Sequence, residues 1–178
     1  MLRAGEQSPE LMLRPAFGRA IALPDDLATG PLAIVFLGGL STPDTRAAVA
    51  ELQEVSAQMD RNGVRLVAVT TSAEDRVQRF VSRYHVLFPV VPDAGCTLRS
   101  AFGLSGAGTV DTVRGVAREL ARPGRHIKLG RGWIEPLAYA PAGCFVLSMD
   151  GRVSWSFEGI AFGAMTDAGR ISSPEVQT

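Results

Sequence analysis

The sequence predicts an α/β fold in which a mixed central sheet is flanked by helices, with a helical insertion before a C-terminal β-hairpin. Three observations predict it: two short apolar runs at 31–37 and 64–70, an amphipathic helical stretch after each, and a hairpin pattern at 144–157. Apolar runs of that length suit strands buried on both faces. A helix between two such strands implies parallel pairing through a right-handed crossover. The closing hairpin then adds antiparallel strands on the other side, and helices on both faces bury the sheet.

Each element has its own signals. Pro31 to Leu37 is nearly continuous in apolar residues and stops at Gly38-Gly39. The next helix should begin at Thr42-Pro43-Asp44, with Thr42 as N-cap, Pro43 in the first turn and Asp44 at the positive end of the dipole. Ala48, Leu52, Val55 and Met59 then recur as one apolar stripe, and Asn62-Gly63 ends the helix. Val64 to Thr70 is the second buried strand. Ser72 is placed to cap a helix whose inner face is Val77, Phe80, Val81 and Tyr84. A run from Leu87 to Val91, interrupted by Pro89, leads through Asp93-Ala94-Gly95 into a short helix ending at Phe102-Gly103. Cys144 to Leu147 and Arg152 to Phe157 flank the turn Met149-Asp150-Gly151 as a hairpin. In its second strand Val153, Trp155 and Phe157 alternate with polar residues, so those three should share a buried face.

The bulk numbers narrow the function. A chain of 178 residues, 46% hydrophobic and 20% charged, suits one globular domain. Lys plus Arg and Asp plus Glu are 18 each, so the whole molecule has no bias toward nucleic acid or a membrane surface. The first twenty residues hold no apolar core of signal-peptide length, and no run approaches the roughly 20 apolar residues that span a bilayer. Two distant cysteines, Cys96 and Cys144, make no secreted-type disulfide framework, so a reducing cytoplasm is the expected home. Richness in Arg, Ala, Gly and Val resembles the composition of a high-GC bacterium. The expected organisation is a flexible segment over 1–15, one domain over 16–167 with a helical, basic insertion at 104–140, and a flexible tail over 168–178.

Several pieces then occur in a telling order. An apolar strand leads to Thr42-Pro43-Asp44-Thr45-Arg46 and on to Glu51-Leu52. Gly63 to Thr70 follows, then Phe80, Phe88-Pro89 and Asp93, and last Gly143 to Val153 with Asp150-Gly151 at its turn. In this order, from about Phe17 to Asp167, they resemble the thioredoxin superfamily. The likeness is greatest to the AhpC/TSA peroxiredoxin-like branch that includes the prostamide synthase-like proteins. The resemblance implies a thioredoxin-like fold, thiol chemistry at a Cys-Pro-x-Cys-Arg helix start, and a homodimer. Here both cysteine positions of that motif are threonine, Thr42 and Thr45. A threonine hydroxyl cannot pass through sulfenic acid or a disulfide, so redox chemistry at this position is excluded. Pro141, in Ala140-Pro141-Ala142-Gly143, is the candidate for the superfamily's cis-proline facing the motif.

The candidate site follows from these residues. Free N–H groups at the helix start, the hydroxyls of Thr42 and Thr45 and the Arg46 guanidinium suit an anion or a developing oxyanion. The plainer reading is a solvated N-cap. His126, in Arg125-His126-Ile127-Lys128 near Trp133, is the candidate general acid or base, with Asp44 as an alternative proton carrier. Trp133, Tyr139, Pro141, Arg125 and Asp44 are expected to line the substrate space, although the aromatics are equally explained as core. Arg114, Arg118 and Arg122 share one helical face in the basic insertion, which more often means a solvated surface than a binding one. His85 and His126 lack an acidic cluster, so no metal and no cofactor is expected. Cys96, at a helix start, and Cys144, opening a strand, are each either a relocated nucleophile or an inert thiol. The reading is a cofactor-independent enzyme of bacterial secondary metabolism acting on a small organic molecule, with no nucleic-acid or membrane partner. The alternatives are a catalytically silent accessory or dimerisation protein, and a thiol-dependent oxidoreductase.

Overall fold

A computed structural model describes residues 1–104 and 142–159. Its centre is a five-stranded mixed sheet built from Leu32–Leu37 (β3), Arg65–Thr70 (β4), Val90–Pro92 (β5), Ala142–Leu147 (β6) and Val153–Gly159 (β7). The strand order is β5-β4-β3-β6-β7, with β3 parallel to β4 and antiparallel to β6. Leu11–Leu13 (β1) and Ile21–Leu23 (β2) form a separate antiparallel pair. All six residues of β3 are buried, as its unbroken apolar run requires of a central strand covered on both faces.

Helix α1 spans Pro43–Arg61, and α2 spans Glu74–Tyr84. Both lie on one face, where Ala48, Leu52 and Met59 of α1 and Val77 and Phe80 of α2 meet Ala33, Val35 and Ala68 of the sheet. Ala48, Leu52 and Met59 of the apolar stripe read from the sequence are therefore buried against the sheet. Phe36, Val69, Phe145 and Val153 point to the other face. There Leu13, Ile21 and Leu23, Leu27 of a 3-10 helix at Asp25–Thr29, and Phe102 after a short helix α3 (Thr97–Ala101) cover them.

Four expectations change in three dimensions. Val153 and Trp155 do not share a face: Val146 pairs with Trp155 but Leu147 pairs with Val153, leaving Ser154 as a bulge residue. One extra residue inverts the alternation, so Val153 joins one core and Trp155 packs against the other. Tyr84 is 43% exposed and stacks on Phe80 at 4.6 Å rather than entering the core. Ser72 does not cap α2, whose N-cap is Ala73; its Oγ accepts the Leu40 N–H at 2.9 Å instead. Residues 1–15 are hydrogen-bonded to the body along their length. Gly5 N–H donates to Val153 O, Val153 N–H to Glu6 O and Ser8 N–H to Gly151 O, and β1 pairs with β2. Leu13 joins the core, but the rest of the segment is fastened largely through its backbone and carries no side-chain periodicity, which is why it reads as a frayed end. The proposed basic insertion beyond Leu104 and the proposed tail lie outside the described residues.

His85 ends α2 in the left-handed conformation, with φ 49°. This left-handed cap turns the chain toward β5.

Candidate functional site at the start of helix α1

The parallel strands β3 and β4 end side by side, and the loop from Gly38 to Ser41 carries the chain from β3 into α1. The crevice at the carboxyl ends of such strands is where open α/β sheets place their ligands. Two hydroxyl residues hold this loop. Thr70 Oγ1 donates to Gly38 O at 2.7 Å, Ser72 N–H donates to Thr70 Oγ1 at 3.3 Å, and Leu40 N–H donates to Ser72 Oγ. The sequence reading missed Thr70 and Ser72 as positioning residues. Their signal was the run Thr70-Thr71-Ser72 directly after a buried strand, where a helix cap needs only one hydroxyl. Thr71 completes the cluster: it is buried, and its Oγ1 has no hydrogen-bond partner.

Thr42 is the N-cap of α1, as expected. Its backbone is extended, and its Oγ1 accepts the Thr45 N–H at 3.2 Å. The same oxygen lies 3.2 Å from Gly39 O and 2.8 Å from Thr45 Oγ1. With one proton on each hydroxyl, one consistent arrangement has Thr42 donating to Gly39 and Thr45 donating to Thr42. Thr45 is buried, whereas Thr42 is half-buried at the rim. Arg46 is exposed, and its Nε donates to Leu40 O at 3.4 Å, which draws the guanidinium back over the loop. The structure thus brings Thr42, Thr45 and Arg46 together around one helix start. Asp44 occupies the first turn of α1. His126, Arg125, Trp133, Tyr139 and Pro141 lie outside the described residues.

Neither cysteine joins the helix start as a thiolate. Cys144 is fully buried in β6, and burial pushes its thiol up to about 12. Cys96 precedes α3 with φ 53°, and its pKa is also raised, first by burial and then by the neighbouring Asp93 carboxylate. A helix start ordinarily lowers a thiol, but here burial and the Asp93 carboxylate outweigh it. The Asp93 carboxylate already takes the Leu98 and Arg99 N–H groups at 3.2 and 2.9 Å, so the free donors face a carboxylate, not sulfur. Among the described residues no group of three or more His, Cys, Asp and Glu could hold a metal. No helix among them is long and apolar enough to cross a membrane.

The Cys144 thiol makes a pH prediction with a definite sign. The unfolded chain releases this proton near 9.0, and the folded chain holds it to about 12. Burial of the neutral thiol therefore stabilises fully below pH 9, and that contribution is lost as pH rises through 12. The difference corresponds to a loss of about 4 kcal/mol across the window. Urea unfolding of the wild type should weaken more steeply with pH than that of Cys144→Ala over this range. Parallel profiles would rule the account out.

The model of the AhpC/TSA family matches residues 4–123. The chain belongs to the AhpC/TSA family. This family member is 31% identical over 107 residues to the thiol-disulfide oxidoreductase ResA of Halalkalibacterium halodurans, covering 58% of each chain. It thus spans a little over half the length of that curated relative. Peroxidoxin BcpB of Mycobacterium tuberculosis superposes with a TM-score of 0.70 at 16% identity, over 98% of this chain and 96% of that one. Peroxiredoxin Q of Xanthomonas campestris gives 0.69 at 18% identity, over 98% of both chains. At such identities the two structures establish the thioredoxin-like peroxiredoxin fold of this AhpC/TSA chain, and nothing finer.

Proposed function

We propose that this AhpC/TSA chain is a non-redox member of the family, of the prostamide synthase-like branch, with Thr42 and Thr45 standing where relatives carry paired cysteines. In this reading the start of α1 binds a small organic molecule bearing a carbonyl or carboxylate, and transforms it without a cofactor in bacterial secondary metabolism. The observation that supports it is the pair of hydroxyls 2.8 Å apart at the helix start. Both thiols of the chain lie elsewhere and hold their protons more tightly than a free cysteine. Backbone donors and the positive end of a 19-residue helix favour an oxyanion there. Thr45 and Arg46 would polarise the bound group, and His126 or Asp44 would move the proton. The raised thiol pKa values weigh against a thiol-dependent oxidoreductase. The protein would work in the cytoplasm, as a homodimer.

One observation favours a second reading, a catalytically silent accessory protein. The Thr42 hydroxyl already has partners in Gly39, Thr45 N–H and Thr45 Oγ1, so the cap is complete without a ligand.

Two assays on the purified chain separate these readings. With hydrogen peroxide or cumene hydroperoxide and dithiothreitol, consumption should not exceed the protein-free rate. Peroxide turnover lost on Cys96→Ser or Cys144→Ala would overturn the non-redox reading. A thermal-shift screen of small carboxylates and carbonyl compounds should give hits that vanish in Thr45→Val and Arg46→Ala. Hits that survive both changes would remove the helix-start site, and a screen without hits would favour the accessory role.

A further inference from the structure

Leu40 lies between the end of β4 and the start of α1 and is tied to both. Its N–H donates to Ser72 Oγ at 2.9 Å, across 32 residues of sequence, and its carbonyl accepts from Arg46 Nε at 3.4 Å. Ser72 is 0% exposed and Leu40 2%, so the first bond is shut away from water. Arg46 is exposed and its bond is long, so water competes for it. The firm end of this connection is Ser72, and the soft end is the guanidinium.

We propose that Ser72 is a positioning residue for Arg46: by fixing Leu40, it sets where the guanidinium lies over the start of α1. Its functional weight rests on the reading above, in which Arg46 polarises a bound carboxylate or carbonyl. The Leu40 side chain belongs to the core shared by α1, α2 and the sheet, so the residue cannot swing as a whole. The direction of its carbonyl then depends on how its N–H is held. The neighbouring carbonyls have side-chain partners of their own: Gly38 O accepts from Thr70 Oγ1 at 2.7 Å, and Gly39 O lies 3.2 Å from Thr42 Oγ1. Replacing the Ser72 hydroxyl by a methyl strands a buried N–H, and the loop relieves that cost by turning Leu40 toward water. Such a turn moves the carbonyl that Arg46 follows.

The test uses the full chain labelled with nitrogen-15. In the wild type the Arg46 Nε–H should give a resolved signal that exchanges with water more slowly than in free arginine. In Ser72→Ala that signal should collapse to the free-arginine position, and the Leu40 amide should exchange roughly tenfold faster. Ser72→Thr keeps the hydroxyl and should restore both. Val153→Ala, buried on the other face of the sheet, should lower the melting temperature and leave the Arg46 signal in place, which separates positioning from general loss of stability. The proposal is overturned if the wild-type signal already stands at the free-arginine position, if Ser72→Ala leaves it unchanged, or if Val153→Ala collapses it equally. The wild-type measurement decides even where Ser72→Ala does not fold.

Binding of the carboxylates found by thermal shift provides a second arm. Ser72→Ala should weaken it as Arg46→Ala does, and the two changes together should weaken it no further, because one residue acts through the other. Hits lost in Arg46→Ala but kept in Ser72→Ala would overturn the positioning role and leave the helix-start reading standing. A collapse of the Arg46 signal in Ser72→Ala, with no ligand found at all, would support the positioning role and remove that reading.

Discussion

Replacing Phe36 by alanine is expected to destabilise the protein by about 3–5 kcal/mol, the usual cost of emptying a buried aromatic site. Phe36 is 1% exposed in the central strand β3. Its ring lies 5.2 Å from that of Phe102 and 5.8 Å from that of Phe145, the latter nearly edge-on, and Phe102 and Phe145 are themselves 4.9 Å apart. The trio joins β3, β6 and the end of α3 in one packed unit. The guanidinium of Arg99, itself only 1% exposed, stands 5.9 Å from the Phe36 ring. Truncation thus opens a cavity and also takes an aromatic face away from a buried cation. Because whole domains are stable by only about 5–15 kcal/mol, the variant should fold marginally. Urea unfolding followed by circular dichroism measures the loss, with Phe36→Leu expected to recover more than half of it. A loss under about 1.5 kcal/mol for the alanine variant would mean that the trio does not carry this face of the core.

The second large effect concerns chemistry. In a Cys96→Ser, Cys144→Ala background, Thr42→Cys should create a thiol far more reactive than either natural one. The new sulfur would replace an oxygen that now accepts the Thr45 N–H at the N-cap of a 19-residue helix. Such positions lower a cysteine's pKa from about 8.5 to about 7.5 or below, so alkylation at pH 7 should run roughly tenfold faster than for an unperturbed thiol. Peroxide should convert it to a sulfenic acid that dimedone traps. Adding Thr45→Cys should let the pair close to a disulfide, since the two Oγ1 atoms are already 2.8 Å apart. A pKa measured at or above 8.5 would show that the helix start is not electropositive enough for the family's chemistry. The experiment asks whether two residue identities, and not the backbone, separate this chain from its thiol-dependent relatives.

The fold was legible because its main signals are local. The apolar run of β3, the Thr42-Pro43 start of α1 and its stop at Asn62-Gly63 each act within a few residues, and all three stand where their residue types place them. The candidate site was legible in part for the same reason: an N-cap and the residue three further on must meet, so Thr42 and Thr45 were bound to touch. Contacts between distant segments were not legible. Ser72 serves Leu40, 32 residues away, and nothing in its immediate sequence separates that duty from capping α2. Arg99 reads as an ordinary surface residue of a short helix, yet it is buried over Phe36. Residues 1–15 look loose because, Leu13 apart, much of their attachment runs through backbone groups that every residue type shares.

The sequence by itself therefore determined the order of the elements, the helix start that carries two hydroxyls, and the absence of a cysteine there. Only the tertiary structure decided that both thiols hold their protons more tightly than a free cysteine and that a bulge at Ser154 turns Val153 and Trp155 to opposite faces. It also decided that Ser72 and Arg46 are tied to the same residue, Leu40. The physical reason is common to all of these. Periodicity and capping depend on near neighbours along the chain, whereas burial, thiol ionisation and strand register depend on which distant segments share the same space.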